Sequence, residues 1–133
     1  MRSVSLVLSL ALVMSGCSDT LSPLALAGRW SELFMAGGFN LNMTLVPIGK
    51  NLTGNGDFCV ELGGCGTVKV TGAVSGDAVH VDISYQSLNA LMDGFTQRFD
   101  GHLVSGNRLV GSVIGEVAGQ RTQGPDSVTY QRS

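Results

Sequence analysis

Apolar and polar side chains alternate one for one along most of this chain, and no other feature restricts the fold as tightly. In residues 78–85, Val79, Val81, Ile83 and Tyr85 share one parity, while His80, Asp82 and Ser84 share the other. Residues 39–46 repeat the pattern, with Phe39, Leu41, Met43 and Leu45 against Asn40, Asn42 and Thr44. A strand sends successive side chains to opposite faces, so such a run is a strand with one face buried. The same reading gives strands at 52–60, 67–74, 95–103 and 109–117, with a first strand over 28–35 and a last over 127–132. Ala36-Gly37-Gly38, Gly63-Gly64, Ser75-Gly76-Asp77 and Ser105-Gly106-Asn107 separate them as turns. Pro47 and Gly49 are expected to break the chain over 47–50, and residues 118–126 are expected to form a polar loop.

Eight short strands joined by short links predict an all-β domain, an eight-stranded antiparallel up-and-down β-barrel. The links are too short for crossovers, and closure removes the two edges an open sheet would expose. An eight-stranded interior is either just filled by side chains or holds one small ligand. The residues expected to line it are Phe39, Met43, Phe58, Tyr85, Phe95, Gln97, Phe99 and Tyr130. Glycines of inward parity at Gly54, Gly56, Gly111 and Gly115 favour some free volume. The link 86–94 carries Leu88, Leu91 and Met92 and reads either as an apolar lid or as a helical turn plugging one end.

Ahead of the barrel, Arg2 precedes an apolar run over 4–13, about half the ~20 residues that a spanning helix needs. Val13-Met14-Ser15-Gly16-Cys17 follows and resembles the lipobox of bacterial lipoproteins. The resemblance implies cleavage after Gly16, acylation of Cys17 by chains such as palmitate, and anchorage to a membrane by lipid alone. Ser18 in second place resembles an outer-membrane address, periplasmic or surface-facing. The expected organisation is a signal peptide over 1–16, a lipidated cysteine and tether over 17–27, and a barrel domain over 28–133. Fully extended, residues 18–27 would reach about 33 Å. Of three cysteines, lipidation of Cys17 leaves Cys59 and Cys65 flanking the Gly63-Gly64 turn, where an exported chain can form a disulfide. A metal site there lacks two further ligands nearby in sequence.

The 117 residues after Gly16 carry seven Lys or Arg against ten Asp or Glu, with no basic cluster for nucleic acid. No nucleophile elbow, phosphate loop, zinc-protease helix or dinucleotide fingerprint occurs. His80 and His102 are the only histidines, and both have outward parity. The expectation is therefore no enzyme and no cofactor. One outward cluster reads as a divalent-metal site: a hairpin centred near residue 91 would set His80 opposite His102 and Asp82 opposite Asp100. The competing reading is a solvated face, with a two-residue slip giving plain His and Asp pairs instead. The first register also faces Tyr85 towards Gln97.

Leu26-Ala27-Gly28-Arg29-Trp30 resembles the Gly-x-Trp opening of the calycins, the group containing lipocalins and avidins, and Lys50-Asn51-Leu52-Thr53-Gly54 is similar to the avidin third-strand region. The resemblance implies that Trp30 packs beneath Arg132 and closes the barrel floor. The later tryptophans that avidins use for biotin are absent, since Trp30 is the only one. The expected function is a lipid-anchored envelope protein whose barrel binds a small apolar ligand or has a structural envelope role. The alternative is an inhibitor of the protease or lysozyme type, or another interaction module, acting through the loops at 86–94 or 118–126.

Overall fold

The structure is a computed structural model and describes residues 20–32, 39–61, 63–87 and 94–133. Cys17 and the leader lie outside the described residues, as does the core of the 86–94 link. The strands are β1 (Gly28–Glu32), β2 (Phe39–Ile48), β3 (Asn51–Val60), β4 (Gly64–Ser75), β5 (Ala78–Ser87), β6 (Phe95–Val104), β7 (Arg108–Val117) and β8 (Gln120–Arg132). Each pairs antiparallel with the next, and β1 pairs with β8, closing the barrel. The alternating parity is realised in the wall: Leu41, Met43, Leu45, Val79, Val81, Ile83 and Tyr85 are all buried, and their polar neighbours face outward.

Two segments depart from the sequence reading. Pro47 does not end β2 but pairs with Leu52, one residue before the strand stops at Ile48. β1 begins at Gly28 opposite Leu45, so past Leu45 that edge of β2 has no partner and the missing amide costs no ladder bond. Residues 118–126 are not a loop either. Ala118 and Gly119 both have positive φ (50° and 79°), the left-handed pair of a tight hairpin, and β8 starts at once with Gln120. The Gly124-Pro125 step is absorbed where the β7–β8 register shifts between Val113 and Glu116.

The barrel has two unlike ends. The floor gathers the β2–β3, β4–β5 and β6–β7 turns, the start of β1 and the end of β8. The mouth holds the β3–β4 and β7–β8 turns and the ends of the chain segments leading into residues 33–38 and 88–93. Before β1, a 3-10 turn at Pro23–Leu26 crosses the floor. Leu26 is fully buried, Leu21 packs against the core, and the Leu21 amide donates to the Gly76 carbonyl at 2.9 Å. The segment expected to be a free tether is thus docked from Leu21 onward, because Leu21 and Leu26 supply the apolar surface the open floor lacks.

Trp30 and Arg132 complete this plug in the arrangement the calycin resemblance implied. The guanidinium carbon sits 4.4 Å from the centroid of the fully buried Trp30 ring. The indole Nε1 donates to the Leu26 carbonyl at 2.9 Å. Arg132 donates through Nη1 to the Ala27 carbonyl and through Nη2 to the Ala25 carbonyl, which straps the 3-10 turn to the last strand. Gly28 permits this approach: its φ is +126°, and a Cβ there would lie 3.1 Å from Arg132 Nη1.

Candidate functional site at the barrel mouth

The inward residues nearest the mouth form an aromatic collar. Phe39 at the head of β2, Phe58 near the end of β3, Tyr85 near the end of β5 and Phe95 at the head of β6 meet there through the up-and-down connection. Ring centroids are 6.1 Å apart for Phe39 and Phe58, 5.0 Å for Phe58 and Tyr85, and 5.2 Å for Tyr85 and Phe95. Phe39 and Phe95 are only half-buried, so the collar keeps apolar edge at the opening. The Cys59–Cys65 disulfide forms as expected, across the β3–β4 hairpin on the mouth side.

A polar chain lies within the collar. The Tyr85 hydroxyl donates to Gln97 Oε1 at 2.5 Å, and Gln97 Nε2 donates to Gln123 Oε1 at 3.0 Å. The predicted Tyr85–Gln97 contact exists, although its register is different: Gln97 stands opposite Ile83, and Tyr85 reaches it diagonally. Burial first, then the neighbouring Tyr130 phenol and the charge of Glu32, holds the Tyr85 hydroxyl far above its ordinary value, and burial with Glu32 does the same to Tyr130. Both phenols are neutral donors at any physiological pH.

Glu32 is the residue that the sequence reading missed. It follows Trp30 by two in β1, so it shares the inward parity, and it stands opposite Tyr130 on β8. Desolvation raises its carboxyl above the ordinary 4.5. The signal was present in the alternation itself, since a residue two beyond a buried tryptophan in one strand must face the same way. A half-buried acid near two phenols, together with the Tyr85–Gln97–Gln123 chain, makes a set of polar groups on an otherwise apolar inner wall, the composition that orients a small ligand.

The other predicted lining residues sit deeper. Phe99 and Tyr130 pack edge to face at 5.3 Å in mid-barrel, and Met43 lies between Trp30 and Gly56 in the ladder, all almost fully buried. The inward glycines do not provide free volume there. A Cβ on Gly54 would stand 1.9 Å from the Thr44 carbonyl oxygen, and one on Gly56 2.0 Å from that of Asn42. They let β2 and β3 close in where the sheet coils sharply. At Gly115 the Phe95 ring already fills the space, 2.8 Å from where a Cβ would be.

On the outer wall the two-residue slip is realised, and it dissolves the predicted metal cluster. His80 stands opposite Asp100, Asp82 opposite Arg98, and His102 opposite Ala78, away from the other three. His80 Nδ1 lies 2.7 Å from Asp100 Oδ1 and Nε2 lies 3.1 Å from Asp82 Oδ1, with Arg98 3.8 Å from Asp82 and 3.7 Å from Glu116. Both ring nitrogens are thereby engaged by carboxylates, and the Asp100 hydrogen bond, with Asp82 adding to it against a smaller opposing effect of burial, raises the His80 pKa. The pairing of β5 with β6 is centred on residue 90, one residue before the expected centre, and that displacement moves every partner by two.

No family model and no curated protein matches the chain. Among solved structures it is similar to a redesigned β-barrel, mFAP1, bound to DFHBI, at 17% identity with a TM-score of 0.62, covering 83% of this chain and 97% of that one. It is also similar to EF1p2_mFAP2b bound to DFHBI, at 15% identity and a TM-score of 0.58 over 83% of this chain and 95% of the other. The Treponema pallidum protein Tp0751 (pallilysin) aligns at 12% identity with a TM-score of 0.50, over 83% and 79% of the two chains. Likeness at these identities establishes the shared small-barrel fold.

Proposed function

We propose that this protein is a lipid-anchored, non-catalytic binding module of the bacterial cell envelope, which takes a small, flat, largely apolar molecule at the barrel mouth. The observation that carries the reading is the Phe39–Phe58–Tyr85–Phe95 collar over the Tyr85–Gln97–Gln123 chain, with Glu32 inward beside it. Aromatic edges supply non-directional contact, and the few polar atoms fix orientation. Two barrels of the same fold hold a small molecule, DFHBI, which supports the capacity of such a wall to do this. Outer-membrane anchorage through Cys17 rests on the lipobox resemblance and on the docked segment that leads back towards it.

Native mass spectrometry of protein purified from its own membrane is the direct test. The expected result is an adduct of a few hundred daltons that is lost in the Phe95→Asp variant, with the anilinonaphthalene sulfonate dye competing for the same site. A bare chain mass, with no dye binding to the folded protein, overturns the reading.

A further inference from the structure

The two ends of the barrel also differ outside. Of the large apolar side chains left exposed among the described residues, Leu24 (75%), Ile48 (64%), Val46 (48%) and Val104 (36%) all lie at or next to the floor, and only Val117 lies at the mouth. Leu24 belongs to the 3-10 turn, which packs against β2, and Val46 and Ile48 occupy the floor end of β2. This makes one corner of the floor apolar. Exposed Arg29 on β1 and Lys50 in the β2–β3 turn flank that corner, and Arg108 opens β7 at the same end. Among the described residues, Asp77 is the acid of the floor turns and Asp82 and Asp100 lie on the mid-wall beside His80, whereas Glu32, Asp57, Glu61 and Glu116 lie in the mouthward half against Arg98 and Arg121.

We infer that the floor is a membrane-contact face and that the barrel stands closed end down on an anionic phospholipid surface, with its mouth directed away from it. This inference rests on the anchorage proposed above. An apolar patch ringed by cations fits a headgroup interface carrying negative charge, and the acidic mouthward half is repelled by it. Chain length adds an independent constraint. Three residues separate Cys17 from Leu21, where the docked segment begins, so an acylated Cys17 lies within about 14 Å of the floor. A tether this short leaves a barrel of this size little freedom to tumble. It brings Leu24, Ile48 and Lys50 to the surface and keeps the collar in water, accessible to a ligand arriving from the aqueous side. Lys50 also borders an open cleft of about 390 Å³ with Thr20, Ser22 and Gly76, wide enough for a phosphate headgroup.

The test is site-directed spin labelling of the full, processed protein in vesicles of phosphatidylethanolamine and phosphatidylglycerol, with nitroxides on Ile48→Cys and, separately, Val117→Cys. The label at 48 is expected to gain oxygen accessibility and to lose accessibility to an aqueous nickel chelate at least threefold relative to the label at 117. Equal aqueous accessibility at both sites, or the reverse order, overturns the inference. So does a label at 48 that is immobilised in native envelopes without gaining oxygen contact, which would mean that a protein covers this face. Circular dichroism melts confirm that both variants fold. The mass of the N-terminal peptide separately reports acylation. If Cys17 is unmodified the anchorage reading fails, and co-sedimentation with the same vesicles then decides the face alone: Arg29→Glu with Lys50→Glu is expected to cut binding at least threefold, and unchanged binding overturns the inference.

Discussion

The floor and the mouth are built on the same eight strands, yet they treat their polar groups in opposite ways. At the floor every strong donor of the plug meets a main-chain carbonyl: the Trp30 indole meets Leu26, and the Arg132 guanidinium meets Ala25 and Ala27 while covering the indole ring. At the mouth, side chains meet side chains in the Tyr85–Gln97–Gln123 chain, and the Glu32 carboxyl is desolvated beside two phenols. The floor closes the fold at low energy. The mouth pairs its polar side chains with one another, and these are the groups that the proposed binding reading uses.

The largest effect that would sharpen this contrast is on the floor. Trp30→Ala should cost about 3–5 kcal/mol in urea unfolding, as the loss of a large, fully buried side chain does. A cost below about 1 kcal/mol would break the comparison, because the plug would then not be what closes the barrel. Arg132→Met comes next, at about 2–3 kcal/mol, since it removes the cation over the ring and leaves the Ala25 and Ala27 carbonyls without their donor. Arg132→Lys should recover only part of this, because an ammonium cannot serve both carbonyls and the ring face in one plane.

The smallest effect has the opposite sign and belongs to the mouth. Burial raises the Glu32 carboxyl in the folded chain, so the folded state binds that proton more tightly than the unfolded state. Its favourable contribution is present below the unfolded value and is lost as pH rises through the raised folded one. Glu32→Gln should therefore raise the melting temperature slightly at pH 7 and leave it unchanged well below pH 4.5, where both states are protonated. The same substitution should weaken any ligand that donates a hydrogen bond to the carboxylate. A lower melting temperature at pH 7 would mean that the charged acid stabilises the mouth and is no site residue.

How much of this was legible beforehand differs between neighbouring residues. The inward parity of Phe39, Phe58, Tyr85, Phe95 and Gln97 could be read directly, since a period of two admits only two faces. Glu32 was legible by the same rule but sits in a short strand whose signal is dominated by one tryptophan. The outer cluster was misread because moving the hairpin centre by one residue, from 91 to 90, shifts the register by two, which preserves every face while changing every partner.

The amino-acid order alone therefore determined the architecture and the inside-outside sorting, because both follow from local periodicity and from turns too short to cross over. It also placed Trp30 and Arg132 at opposite termini of the domain, where closure would join them. Only the tertiary structure decided which residues touch: the His80–Asp100 pairing, the diagonal reach of Tyr85 to Gln97, the docking of Leu21 and Leu26 over the floor, and the crowding at Gly54 and Gly56. These depend on register and on the coiling of the whole sheet, which are properties of strands taken together and are encoded in no single strand.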